Sequence, residues 1–140
     1  MYVATSRQMK AYDKALLDAG YTIEELVDKA SNAILPHCKN YDNIVIVCGP
    51  GNNGADGLSL GIKLHLRARN VKLYCFGNPD KLSRANNYYI DQAQEMEVPI
   101  TFMDEEDISL FVRDAKKADV VVDAMFGFGL NSEVRGIAKI

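Results

Sequence analysis

The segment from Asn43 to Gly57 constrains this chain more than any other. Five consecutive apolar residues, Ile44-Val45-Ile46-Val47-Cys48, run straight into Gly49-Pro50-Gly51-Asn52-Asn53-Gly54-Ala55-Asp56-Gly57. A strand that is apolar at every position, not at alternate ones, must be covered on both faces, as strands of parallel sheets are. Parallel neighbours need a crossover, usually a helix. The sequence supplies one after each strand. A helix carrying Leu58, Leu60, Ile62, Leu64 and Leu66 follows the glycines, and Val71–Phe76 then reads as a second strand. Leu82–Met96 reads as a helix, Pro99–Phe102 as a short strand, Ile108–Lys116 as a helix and Asp119–Ala124 as another buried strand. This β-α-β-α-β-α-β alternation predicts an α/β fold, a doubly wound, Rossmann-like parallel sheet with helices on both faces and right-handed crossovers.

Two helices precede the sheet. Ser6 caps one that carries Met9, Tyr12, Leu16 and Leu17 and stops at Gly20. Thr22-Ile23-Glu24-Glu25 is a capping box for the second, in which a hydroxyl and a carboxylate each satisfy a free backbone N–H. Its apolar positions are Ile23, Leu26, Val27, Ala30 and Ile34, with Asp28 and Lys29 on the wetter side. Farther on, the acidic run Asp104-Glu105-Glu106-Asp107 reads as a solvated helix start, where negative charge meets the helix dipole favourably.

Charge and cysteine usage narrow the class. Sixteen basic residues against nineteen acidic give a net charge of −3, and no basic run offers a footprint for nucleic acid or an anionic membrane. No apolar run approaches the roughly 18 residues of a membrane span, and the first residues carry no apolar signal region. Cys38, Cys48 and Cys75 form no C-x-x-C, and two of them lie in apolar runs, so reduced buried thiols in a cytoplasmic protein are expected. His37 and His65 have no partners at metal-ligand spacing, which argues against a zinc site.

Chemistry concentrates in two loops. The cluster Gly49–Gly57 lets backbone take positive φ and approach a ligand closely, and it feeds a helix whose N-terminal N–H groups favour phosphate. No Lys-Ser/Thr follows, so it is not a Walker A loop. Gly49-x-Gly51-x-x-Gly54 fits the dinucleotide pattern letter for letter, but that pattern leaves Asn52, Asn53 and Asp56 unexplained. The second loop begins at Asp123, an acidic residue closing the apolar Val120-Val121-Val122, and continues Ala124-Met125-Phe126-Gly127-Phe128-Gly129-Leu130-Asn131. A carboxylate there must cap the following turn, pair with a cation such as Arg135 or bind one. In doubly wound sheets the strand order reverses beside the first strand, and ligands bind at that switch point beyond the carboxyl ends. Both loops therefore face one crevice, where Asn53 and Asp123 are expected to meet.

These loops carry a resemblance. Gly49-Pro50-Gly51-Asn52-Asn53-Gly54-Ala55-Asp56-Gly57-Leu58 resembles the G-P-G-N-N-G-G-D-G-L signature of the NAD(P)H-hydrate epimerases, the YjeF N-terminal domain family. Asp123-Ala124-Met125-Phe126-Gly127-Phe128-Gly129-Leu130 is similar to that family's D-A-L-F-G-T-G-L, and Arg135-Gly136, Met9, Asp13 and Asn87 also fit. The resemblance implies an isomerase of nicotinamide nucleotide repair that interconverts the R and S forms of hydrated NADH and NADPH. It implies that Asn52, Asn53, Gly54, Ala55 and Asp56, with Gly127, Phe128, Gly129, Leu130, Asn131, Ser132 and Glu133, contact the substrate. Asn53 and Asp123 would help hold a potassium ion. A dehydratase, fused or separate, would consume the product.

Departures from the family pattern set further expectations. Ala55 replaces a glycine and is tolerated only at negative φ. Leu26-Val27-Asp28-Lys29-Ala30-Ser31 stands where relatives carry L-M-E-N-A-G. The family's D-x-P-S-G segment, which supplies a catalytic Asp and a cation ligand, does not occur before Ile140. Residues 1–140 thus read as one epimerase-type domain without its C-terminal part, the main acid/base lying beyond Ile140. Two other readings stand beside this one. One is a non-catalytic nucleotide-binding or protein-interaction module of the same fold. The other is an ordinary NAD-dependent dehydrogenase, whose ribose-binding acid would have to be Asp80. A homodimer through a surface bearing Tyr12, Leu16, Leu17 and Ile34 is compatible with the pattern.

Overall fold

The structure, a computed structural model, describes residues 14–125 and the backbone of residues 137–139. Residues 14–18 are helical, and Gly20 at φ +100° ends that segment. Helix α1 (Ile23–Cys38) opens with the expected capping box: Thr22 Oγ1 accepts from Glu25 N–H at 3.0 Å, and Glu25 Oε1 from Thr22 N–H at 3.2 Å. There follow β1 (Asn43–Cys48), α2 (Asn52–Leu66), β2 (Asn70–Cys75), α3 (Arg84–Glu95), β3 (Ile100–Phe102), α4 (Ile108–Lys117), β4 (Val120–Ala124) and β5 (Ile137–Lys139). Expected and observed ends of β1 to β4 and of α3 and α4 agree within a residue or two.

The sheet order is β3-β2-β1-β4-β5. β1 lies between β2 and β4, parallel to both, with Cys48 beside Cys75 on one side and Ala124 on the other. The chain steps outward through β1, β2 and β3, then returns past β1 to β4. That reversal places α2 and α3 on one face and α4 on the other, as crossovers of a single hand require. On the first face Ile44, Ile46, Cys48, Leu73 and Val122 pack with Leu58, Leu60 and Leu64 of α2 and Ile90 and Ala93 of α3. On the second, Val45, Tyr74 and Val121 meet Leu110 and Phe111 of α4. Residues of β1 alternate between these two clusters, which is why the strand reads as an unbroken apolar run.

One strand departs from the purely parallel expectation. β5 pairs antiparallel with β4, Val122 opposite Ile137 and Val120 opposite Lys139. An antiparallel edge strand on a parallel sheet is a common arrangement, because the two ladders satisfy backbone groups equally well at an edge. A three-residue strand carries too little periodicity to be read from sequence.

α1 adds Leu35 and Cys38 to the core of the first face and is joined to α2 by a polar clamp. Lys63 Nζ reaches Asp28 Oδ1 at 2.6 Å, Ser31 Oγ at 2.7 Å, Asn32 Oδ1 at 2.8 Å and Asp28 O at 3.1 Å, while buried Ser31 bonds Ser59 at 2.9 Å. Asp28 is exposed as expected, and it serves as the ion-pair partner of this clamp. On the opposite face the buried Asp114 carboxylate binds the Tyr74 hydroxyl, Lys72 Nζ at 3.1 Å and Arg113, tying α4 to β2.

Candidate functional site

The switch point between β1 and β4 forms as the topology requires, and the two loops leaving it are joined through main chain. Gly49 N–H donates to Ala124 O at 2.9 Å. A Cβ on Gly49 would stand 1.9 Å from the Met125 carbonyl oxygen, so only glycine allows the loops to close on each other here. Phe76 N–H donates to Cys48 O at 2.8 Å, continuing the β1–β2 ladder up to the loop.

The glycines act by close approach, not by positive φ. Positive-φ glycines among the described residues are Gly20 and Gly77, outside the cluster. The physical reason is that α2 begins at Asn52, so Gly54, Ala55, Asp56 and Gly57 are helical and only Gly49–Gly51 form the loop proper. A Cβ on Gly54 would meet Gly49 O at 1.8 Å, and one on Gly57 would meet Ala124 Cβ at 2.8 Å and Cys48 Sγ at 3.0 Å. Gly51 is different: among the described residues nothing lies within 4 Å of its absent Cβ. It caps α2 with extended backbone and no side-chain hydrogen bond, so among the described residues no side chain caps the N–H groups that start the helix.

Ala55 meets the condition set for it. It lies in α2 with no left-handed strain, its methyl buried against Val27 of α1 and Ala85 of α3. Asn52 is exposed, Asn53 half-buried and Asp56 buried at 7% exposure. Asn52 lines a cleft of about 240 Å³ with Ile23, Glu24, Arg84 and Ala85. First turns of α1, α2 and α3 therefore converge on one opening. Arg84, not singled out in the sequence, contributes a guanidinium whose side chain is 93% exposed and sits 4.0 Å from Glu24 Oε1.

Asp123 closes β4 opposite Val47 and is exposed. Its Oδ1 accepts from Met125 N–H at 3.0 Å, the turn-capping geometry open to such a residue. Gly127 to Glu133, Arg135, Met9, Tyr12 and Asp13 lie outside the described residues.

Beneath the loop, Cys48 and Cys75 sit side by side on adjacent strands. Contact between the two thiols and burial push the Cys48 thiol well above the usual range, with the nearby Asp56 carboxylate adding to the effect. Cys38 is raised to about 11 by burial. All three thiols are free and buried, as expected, so thiolate chemistry at this site is disfavoured. Sequence reasoning missed Asn86, which is 1% exposed and donates from Nδ2 to Gly49 O at 2.7 Å and Gly51 O at 3.0 Å. Its signal was position alone: an amide three residues after the Ser83 cap, where Ser83 Oγ takes its backbone N–H.

Residues 16–140 match the family described as YjeF-related protein N-terminus. The chain belongs to that family. A protein of Limosilactobacillus fermentum named NAD(P)H-hydrate epimerase is 32% identical over 94% of this chain and 62% of its own length. A Thermofilum pendens protein named bifunctional NAD(P)H-hydrate repair enzyme Nnr is 35% identical over 67% of this chain and 18% of its own. The crystal structure of yeast ynu0 superposes with a TM-score of 0.77 at 24% identity, over 91% of this chain and 58% of that one, and shares the fold. The chain thus spans less than two thirds of the epimerase relative. No described helix is long and apolar enough to cross a membrane.

Proposed function

We propose that this member of the YjeF-related family works as an NAD(P)H-hydrate epimerase, interconverting the R and S forms of hydrated NADH and NADPH. One observation carries the reading. The glycine loop and the end of β4 meet at the switch point through Gly49, Ala124 and Met125, beside an uncapped helix N-terminus, in a chain whose relative bears that name. Open N–H groups at Gly51–Asn52 suit the phosphates of a dinucleotide. The hydrated carbon carries a hydroxyl beside the ring nitrogen, so epimerisation proceeds by loss and return of water, which a positioned acid/base accelerates.

Asn53 and Asp123 offer an amide carbonyl and a carboxylate, hard oxygen donors of the kind alkali cations take. Only one Asp123 oxygen is used by the turn, so the donor chemistry fits a potassium ion held by these two residues. Such an ion would supply positive charge near the phosphates. The bifunctional relative supports a dehydratase as the consumer of the product, and three buried free cysteines support a cytoplasmic setting.

The test supplies an R/S mixture of hydrated NADH to this chain and, in parallel, to the chain extended by whatever reading frame continues it. Epimer interconversion is followed chromatographically. Acceleration that Asp123→Ala diminishes together with its potassium response is the expected result. No acceleration by either protein refutes the reading. Nucleotide binding without turnover by the extended protein supports the non-catalytic module instead. Full activity and potassium response in Asp123→Ala refute the cation assignment.

A further inference from the structure

Three successive carbonyls of the loop, those of Gly49, Pro50 and Gly51, are met by the start of α3, and Gly51 O also accepts the first hydrogen bond of α2, a long one from Ala55 N–H at 3.3 Å. Asn86 Nδ2 takes Gly49 O and Gly51 O at 2.7 and 3.0 Å, and Ser83 N–H takes Pro50 O at 2.8 Å. The amide reaches them only because Gly54 lacks a side chain: a Cβ there would stand 2.7 Å from Asn86 Nδ2. Two carbonyls need two donors, which one carboxamide supplies. An isosteric Asp would set a carboxylate against both oxygens, and an apolar residue would orphan Gly49 O and leave Gly51 O only the long bond from Ala55 N–H.

The consequence follows from peptide geometry. Every peptide described is trans, so each carbonyl points opposite to the next residue's N–H. With Gly51 O turned towards Asn86, Asn52 N–H is turned away from α3's buried amide, to the side where Gly51 meets open space. Asn52 is also the α2 residue that lines the cleft. Drawing three carbonyl oxygens away from that side removes negative ends of dipoles and leaves donors, as an anion requires.

We infer that Asn86 is a positioning residue: it fixes the Gly51–Asn52 peptide so that Asn52 N–H faces the phosphate oxygens of a nicotinamide nucleotide. This rests on the nucleotide reading above. Asn86 itself does not touch the ligand. Its loss therefore weakens binding of ground state and transition state alike, raising KM more than it lowers kcat.

The experiment titrates ¹⁵N-labelled protein with NADPH and compares wild type, Asn86→Asp, Asn86→Ser and Lys63→Met. Wild type is expected to show shifts of the Asn52 and Asn53 amides. Asn86→Asp should lose about tenfold to a hundredfold in affinity, the range for one hydrogen bond to a charged group, and the Asn52 shift should vanish. Asn86→Ser, with one hydroxyl donor, should fall between. Lys63→Met weakens the fold at the α1–α2 clamp, far from the loop, and should leave the affinity unchanged. Wild-type affinity in Asn86→Asp overturns the inference. Should Asn86→Asp fail to fold, Asn86→Ser decides. Should wild type neither bind NADPH nor turn over its hydrate, the nucleotide reading fails by itself. The ligand-free spectra then test the positioning by itself: unchanged Asn52 and Asn53 resonances in Asn86→Ser overturn it, and displaced ones sustain the hold of Asn86 on the Gly51–Asn52 peptide but not its ligand.

Discussion

Two glycines one turn apart on α2 should respond differently to the same substitution, one losing stability and the other nearly unchanged. Helix propensity alone favours Ala over Gly by about 0.8–1.0 kcal/mol at either position. At Gly57 the new methyl would meet Ala124 Cβ at 2.8 Å, Cys48 Sγ at 3.0 Å and Ile46 Cγ2 at 3.1 Å. Ala124 Cβ cannot rotate aside, and the other two belong to β1, so α2 must lift off the sheet. Overpacking of this kind costs about 1–3 kcal/mol, leaving Gly57→Ala destabilised by up to about 2 kcal/mol after the propensity gain. At Gly61 the nearest atom is Leu73 Cδ2 at 2.6 Å, the far end of a flexible side chain. A rotamer shift of about 0.5–1.5 kcal/mol roughly cancels the gain. Urea unfolding followed by circular dichroism should therefore separate the two variants by about 0.5–1 M at slopes typical of small proteins. Adding Ala124→Gly to Gly57→Ala should recover part of the loss, a coupling expected only of residues in contact. If Gly57→Ala resists urea as well as Gly61→Ala, the reasoning from close approach is wrong.

Three further outcomes follow from the packing. Burial opposes charge on Asp114, but the Tyr74 hydroxyl, Lys72 and Arg113 outweigh it and hold the carboxyl below its ordinary value. A carboxyl lowered on folding stabilises above its unfolded pKa of about 3.9, and that contribution is lost as pH falls through the folded value. Urea midpoints between pH 2 and 6 should rise with pH in wild type and rise less in Asp114→Ala, which loses about 1–3 kcal/mol at neutral pH by orphaning Tyr74. Lys63→Met should cost about 1–2 kcal/mol, because Ser31 and Asn32 lose a charged donor, and its thermal midpoint should become less sensitive to salt than that of wild type. Ala55→Gly restores the family's residue but removes a methyl buried between Val27 and Ala85, so stability should drop by about 1–2 kcal/mol while NADPH affinity stays unchanged.

Much of this architecture was legible because its determinants are local. The apolar run of β1 demanded two covering layers, and Thr22 with Glu25 announced the start of α1 by hydrogen bonds that close within three residues. The neighbouring of β1 and β4 followed from a topological rule, not from any pairwise signal, and it held. What local pattern could not give was the start of α2. Asparagine and glycine are weak helix formers, so Asn52-Asn53-Gly54 reads as loop, yet the chain turns helical there. The tertiary reason is that Gly49, Gly54 and Gly57 let helix, loop and β4 approach closer than any side chain would permit, and that packing overrides propensity.

The same override explains why Asn86 escaped notice while Asn52 and Asn53 drew it. All three are asparagines near glycine-rich backbone, but only position in space separates a ligand-facing amide from one that holds a loop. Asn86 is 1% exposed and spends its two N–H donors on backbone thirty-five and thirty-seven residues away. No window of sequence spans that distance. The glycine signature therefore has two readers in this fold: a ligand on the open side at Gly51, and α3 on the buried side at Gly49 and Gly54. Gly51 answers to the first and can be exchanged only at a cost in binding. Gly49 and Gly54 answer to the second, so substitutions there should disturb the loop even with no ligand present.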